Sequence, residues 1–178
     1  MHSTFQYQKN PNFPNRYISP KSLQNFLQEN LSDYITLIGT STLGEPIYQF
    51  SYGSGGIKVL AWSQMHGNES NSTHCMLDLW YSLESQPQLK EKLFQNISLD
   101  FIFMLNPDGS KVWSRRNSLD IDMNRDYLQN ASCEMMLLKE IAFSKKYDYA
   151  LNLHEQRTNY YTDGKNPATL SFLAPSED

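Results

Sequence analysis

Cysteine is nearly absent from this chain: Cys75 and Cys133 are the only two, far apart in sequence. They form neither a CxxC pair nor a zinc knuckle. Two free, buried thiols in a reducing compartment are expected. Long hydrophobic runs are also missing. No stretch approaches the roughly 20 apolar residues of a membrane-spanning helix, so no membrane partner is expected. Basic residues are not in excess: 15 Lys and Arg stand against 19 Asp and Glu, for a net charge of −4. Without a basic stripe, nucleic acid is not an expected partner. The opening residues, Met1 to Asn10, carry neither the charged n-region nor the apolar h-region of a signal peptide. A cytoplasmic location is therefore expected. Internal repeats and low-complexity tracts are absent. Asn-x-Ser/Thr triplets at Asn68, Asn71, Asn96 and Asn130 are read as chance. Histidine is scarce, with only His2, His66, His74 and His154.

What is present reads as a globular domain. Hydrophobic residues make up 39% and charged residues 19% of 178 positions, which suits one domain with its own core. Residues 1–178 are read as a single domain, and nothing in the pattern sets its oligomeric state. Residues 1 to 18 are polar and aromatic, with Pro11 and Pro14, and should wrap the surface. Ser19-Pro20 is a helix start, a cap oxygen followed by proline at the first helical position. Leu23, Phe26 and Leu27 continue it at helical spacing. Tyr34 to Ile38 is strand-like. Ile47 to Tyr52 alternates, Gly53-Ser-Gly-Gly56 interrupts, and an apolar run follows from Ile57 to Trp62. That sequence predicts a hairpin with a glycine turn. Met76, Leu79, Trp80 and Leu83 mark one buried helix face, with Ser70 or Asn71 as its cap. Ile97 to Leu105 is a second apolar strand, closed by the turn signal Asn106-Pro-Asp-Gly109. A charged, asparagine-rich loop spans Ser110 to Asn130. Ser132 to Lys146 predicts a helix with Met135, Leu138 and Ala142 inward and Lys145 and Lys146 in its last turn, favoured by the helix dipole. Tyr147 to Leu153 is a third apolar strand ending on His154, and Thr169 to Leu173 a further short one. The order predicts an α/β fold, a mixed, largely parallel sheet flanked by helices.

In such sheets ligands bind beyond the carboxyl ends of strands. His66 and His154 both fall there, and Glu69 stands three places after His66. A catalytic zinc usually takes three protein ligands and keeps a fourth position for water, so His66, Glu69 and His154 would make a His₂Glu set. HxxE alone is a weak signal; the second strand-end histidine strengthens it. His74 lies inside the predicted helix and reads as a surface or packed residue. Between the two strand ends runs Trp113-Ser-Arg-Arg-Asn117-Ser-Leu-Asp120-Ile-Asp122-Met-Asn124-Arg125-Asp126. Arginine's planar fork binds a carboxylate bidentately, asparagine adds a donor, and a second arginine can stabilise an oxyanion.

Four motifs now stand in order: HGNE (His66 to Glu69), NPDG (Asn106 to Gly109), R-x-N…DMNRD (Arg115 to Asp126) and LNLHE (Leu151 to Glu155). Together they resemble the zinc metallocarboxypeptidases, both the carboxypeptidase A/B-like and the N/E-like enzymes. The resemblance covers most of residues 57 to 155 and implies the zinc carboxypeptidase, or phosphorylase/hydrolase-like, fold. It implies that one zinc ion is held by His66, Glu69 and His154, with Asp122 hydrogen-bonding a ligand histidine. It further implies that Arg115 polarises the scissile carbonyl and that Asn124 and Arg125 grip the free carboxylate of a peptide or small amide substrate. Asn68 between the ligands matches the N/E-like and bacterial branches better than the digestive one. Glu155-Gln156 replaces the Ser-Tyr of the digestive enzymes. Family members carry a glutamate general base well beyond the last zinc histidine. No residue here matches it, so that base is expected beyond Asp178, and the chain is read as the N-terminal part of a truncated domain. Two alternatives stand beside the carboxypeptidase: an aspartoacylase-like amidohydrolase acting on N-acyl amino acids, and a non-catalytic zinc- or peptide-binding module.

Overall fold

A computed structural model describes residues 4–155. The first helix, α1 (Pro20–Asn30), begins as the sequence predicts: the Ser19 hydroxyl accepts from the N–H of Ser22, and Pro20 occupies the first turn. A 3-10 turn at Ser32–Tyr34 leads into β1 (Ile35–Thr40), which turns back into β2 (Pro46–Tyr52). Then follow β3 (Ile57–Trp62), α2 (Asn71–Glu84), α3 (Pro87–Phe94), β4 (Ile97–Phe103), the short α4 (Pro107–Lys111), a 3-10 turn at Met123–Arg125, α5 (Cys133–Ser144) and β5 (Tyr149–Asn152). The expected strand at Thr169 to Leu173 lies outside the described residues.

The sheet is mixed, with strand order β1-β2-β4-β3-β5. Pairing is antiparallel from β1 through β2 to β4 and parallel from β4 through β3 to β5. Side chains alternate across the strands, and both faces are covered. Tyr48, Phe50, Ala61, Phe101 and Phe103 meet α1, α2 and α3 on one face. Ile47, Leu60 and Ile102 meet Met135 and Leu138 of α5 on the other.

The expected hairpin between β2 and β3 does not form, because β4 lies between them. The glycines have a different job. A Cβ on Gly55 would lie 1.9 Å from the Asn96 carbonyl carbon, and one on Gly53 would lie 2.3 Å from the Ile97 oxygen. The chain crosses the start of β4 at backbone contact, where no side chain fits. Asn106-Pro-Asp-Gly109 does not make a simple turn either. Its asparagine caps α4 by accepting from the N–H of Gly109 at 2.9 Å. The last turn of α5 holds no lysine: the helix stops at Ser144, and Lys145 reaches Asp100 of β4 at 2.5 Å. A partner in the sheet outbids the helix dipole. The two cysteines are free but not buried; Cys75 is exposed and Cys133 half-buried.

Candidate metal centre

The register of the parallel strands sets up the site. Trp62 of β3 pairs with Asn152 of β5, and the N–H of Leu153 extends the ladder to the Trp62 carbonyl. His66 and His154 therefore leave neighbouring strands at the same end of the sheet. Beyond β3 and β4 the chain bends out through two left-handed non-glycine residues, Gln64 at φ 49° and Met104 at φ 47°. They lie side by side, since Leu105 N–H bonds Ser63 O and Asn106 N–H bonds Gln64 O. Such residues cost about 1 kcal/mol or more each and persist only where surroundings hold them. The buried Gln64 side chain donates to Gly67 O and accepts from the Thr73 hydroxyl, tying the bend to α2.

The His66–Glu69 turn is closed by Glu69 N–H donating to His66 O at 3.1 Å. It folds the glutamate back over the imidazole. Glu69 then spans both histidines. Its Oε1 lies 2.8 Å from Nδ1 of His66, and its Oε2 lies 2.8 Å from Nδ1 of His154. The ligand-capable atoms of the three residues lie within 4.8 Å of one another. His66 is 1% exposed, whereas the His154 side chain is 30% exposed, so the cluster opens on the His154 side. Burial would raise the Glu69 carboxyl, but hydrogen bonds with His154 and His66 outweigh it and hold its pKa at about 2. The glutamate is an anion at any ordinary pH.

Behind His66 stands Asp122. Its Oδ1 lies 3.0 Å from Nε2 of His66 and also accepts from the N–H of Asn124. Its Oδ2 accepts from Nε of Arg115 at 3.1 Å. Burial raises the Asp122 carboxyl, and His66 and Arg115 together pull it below the ordinary range. Arg115 also points Nη1 at Glu69 Oε1, at 3.4 Å, with its side chain 46% exposed. The Asn124 amide oxygen accepts from Asn152 of β5. Arg125 is exposed and donates to the Asn124 carbonyl. One connected network thus holds His66, Glu69, His154, Asp122, Arg115 and Asn124, and among the described residues Arg125 joins it only through backbone carbonyls. His74 is half-buried, with Nε2 against the carbonyl of Arg16.

The loop that carries these groups is built, not loose. Asn117 is buried. Its amide oxygen accepts from the N–H groups of Leu119 and Ile121, and its nitrogen donates to the buried Glu134 of α5. Asp108 accepts from Ser41, Leu43 and Ser118. Asp126 accepts from Ala131 and from Ser132, which in turn caps α5. The contacts of three residues escaped the sequence reading: Asn152, Glu155 and Arg16. Asn152 sits two places before His154, on the same strand face, which was a readable signal. Arg16 has none, because it meets Glu155 across 139 positions.

A mixed α/β sheet with a His-Glu-His cluster where adjacent parallel strands end defines a class, the α/β proteins with a potential metal centre at strand carboxyl ends. The family model "Zinc carboxypeptidase" matches residues 21–167, and the chain belongs to that family. Carboxypeptidase 2 of Trichophyton rubrum is 29% identical over 100 residues, covering 55% of this chain and 19% of that protein. A metallo-carboxypeptidase from Burkholderia cenocepacia superposes with TM-score 0.66 at 20% identity, over 79% of this chain and 42% of the other. Carboxypeptidase A of Helicoverpa armigera superposes with TM-score 0.67 at 16% identity, over 80% of this chain and 46% of the other. The chain thus spans about a fifth of the curated relative and less than half of these two structures.

The donor set fits a cation. Both ring nitrogens of His66 face carboxylate oxygens, Nδ1 toward Glu69 and Nε2 toward Asp122. A neutral imidazole has only one N–H to offer. Either a second proton or a metal ion belongs between Nδ1 and Glu69.

Proposed function

We propose that this chain forms the metal-binding part of a zinc-dependent carboxypeptidase that hydrolyses the C-terminal peptide bond of its substrate. The observation that carries the reading is that Glu69 bridges His66 and His154, with ligand-capable atoms of all three within 4.8 Å of one another. Family membership supports it. His66, Glu69 and His154 would hold one zinc ion, with two neutral nitrogens and one anionic oxygen. When bound, zinc supplies Lewis acidity: it acidifies water and polarises a carbonyl. Asp122 accepts the Nε2–H of His66, which leaves Nδ1 as the ligand atom and fixes the ring. Arg115 places its guanidinium beside Glu69, where it can bond the carbonyl oxygen of the scissile amide as charge grows there. Asn124 is oriented by Asn152, and the exposed Arg125 guanidinium, bonded among the described residues only to the Asn124 carbonyl, can swing to a terminal carboxylate. Glu155 is committed to Asn71, Arg16 and Glu69 and is not assigned the general base.

The substrate class is a peptide with a free C-terminal carboxylate. Metal analysis tests the reading. Purified chain should carry one zinc per molecule, and His66→Ala should remove it. Equal zinc content in wild type and variant would rule out His66 as a ligand.

A further inference from the structure

Glu155 is a largely enclosed carboxylate that the proposed chemistry does not use. Its side chain is 9% exposed, although it follows the half-open His154 directly. It makes three bonds. Its Oε1 accepts from the N–H of Asn71 at 2.5 Å, its Oε2 pairs with Nη2 of Arg16 at 2.6 Å, and its own N–H donates to Oε2 of Glu69 at 3.1 Å.

The first bond explains an oddity of α2. Ser70 precedes that helix but makes no side-chain cap. Its hydroxyl donates instead to Arg16 O at 2.7 Å. The cap comes from Glu155, 84 positions away. A carboxylate at a helix N-terminus is favoured by the helix dipole and the unpaired N–H groups. Arg16 is itself held in place. Its carbonyl accepts from Ser70 and faces His74, and its guanidinium lies 5.5 Å from the Trp113 ring centre.

The ladder does not do this job. β5 has four residues, and among the described residues its only strand partner is β3. Strand pairing stops at the Leu153 N–H, one residue short of His154. Glu155 anchors the chain again immediately after it.

We infer that Glu155, braced by Arg16, is a positioning residue for the metal centre: it ties the exit of β5 to the start of α2 and holds His154 against Glu69. The inference rests on the reading of His66, Glu69 and His154 as metal ligands. It makes the segment before α1 a working part of the centre, reached through Arg16. Metal ligands held by a supporting contact bind more tightly than free ones.

The test measures Zn2+ affinity of the whole chain by competition with a chromophoric chelator. It also records the visible absorption of the Co2+-loaded chain, which reports ligand geometry. Glu155→Ala should lower Zn2+ affinity about 10- to 100-fold and alter the Co2+ bands. Glu155→Gln keeps an acceptor for Asn71 and should lose less. Arg16→Ala should lose least, because its charge is exposed. Melting of the metal-free variants separates the two roles. A lowered melting temperature with wild-type Zn2+ affinity and Co2+ bands makes Glu155 a helix cap only and overturns the inference. If Glu155→Ala does not fold, unchanged affinity in both Glu155→Gln and Arg16→Ala has the same force. Zinc content that ignores His66→Ala sinks the ligand assignment, and this inference with it. Zinc lost in His66→Ala but kept at full affinity in the Glu155 variants sinks the inference alone.

Discussion

Gly67 and Gly109 meet backbone to backbone. A Cβ on Gly67 would lie 2.2 Å from the carbonyl carbon of Gly109 and 2.3 Å from the nitrogen of Ser110. On the far side, a Cβ on Gly109 would lie 2.6 Å from the Arg116 oxygen. The glycines of two sequence motifs are therefore one contact. It packs the His66–Glu69 turn on α4 and on the loop that carries Arg115 and Asp122.

Gly67→Ala should destabilise the fold by about 1–3 kcal/mol, the usual cost of forcing atoms into a filled site. Gly56→Ala has nothing within 4 Å of the added carbon and should stay within about 0.5 kcal/mol of wild type. Urea unfolding of both variants checks this. Equal midpoints would show that the Gly67 contact relaxes at no cost.

Asp122→Asn should lower zinc affinity about 10- to 100-fold, because the replacement has lost the charge that orients the His66 ring and strengthens it as a donor atom. Chelator competition is the measurement. Unchanged affinity would reduce Asp122 to a tether for Asn124 and Arg115.

Arg125→Ala, made in a form that has carboxypeptidase activity, should raise KM for free C-terminal carboxylates. A lost hydrogen bond to a charged group is worth about 1.5–3 kcal/mol, or roughly 10- to 100-fold. Wild-type protein that cleaves C-terminally amidated peptides equally well would remove Arg125 from substrate recognition.

Asp100 offers a pH test away from the site. Burial raises its carboxyl, but Lys145, Tyr147 and Ser51 outweigh it, so its folded pKa lies below the ordinary value. A depressed acid stabilises the fold above its unfolded pKa and loses that contribution as pH falls through the folded one. Wild-type stability should therefore drop below about pH 4. Asp100→Asn should flatten that acid limb. Parallel pH curves of urea midpoint for the two proteins would refute the assignment.

Much of the fold was readable because its signals are local. Ser19-Pro20 marks the start of α1 through a hydroxyl and a ring that act within one turn. The alternation from Ile47 to Tyr52 reports a strand, and β2 forms there. His66 and His154 were found by their place after apolar runs, which needs only the rule that ligands gather at strand ends. The β2–β3 hairpin was misread because glycines between two strands look the same whether they turn the chain or let it pass another backbone. Lys145 was misread because its partner, Asp100, is a residue of β4. The bonds of Glu155 were not legible, because adjacency to His154 says nothing of Asn71 or Arg16.

By itself, the sequence determined most of the strands and helices, the start of α1 and which two strand ends carry histidine, but not α3, the short α4 or the cap of α2. What it determined depends on backbone preference and side-chain period within a few residues of chain. Tertiary structure decided the insertion of β4 between β2 and β3, the Trp62–Asn152 register that brings the histidines together, and the left-handed bends at Gln64 and Met104. It also decided the distant cap that Glu155 gives α2. The reason is physical. A hydrogen bond, a backbone contact or a strained φ is stabilised by whatever lies across the gap, and that neighbour comes from elsewhere in the chain.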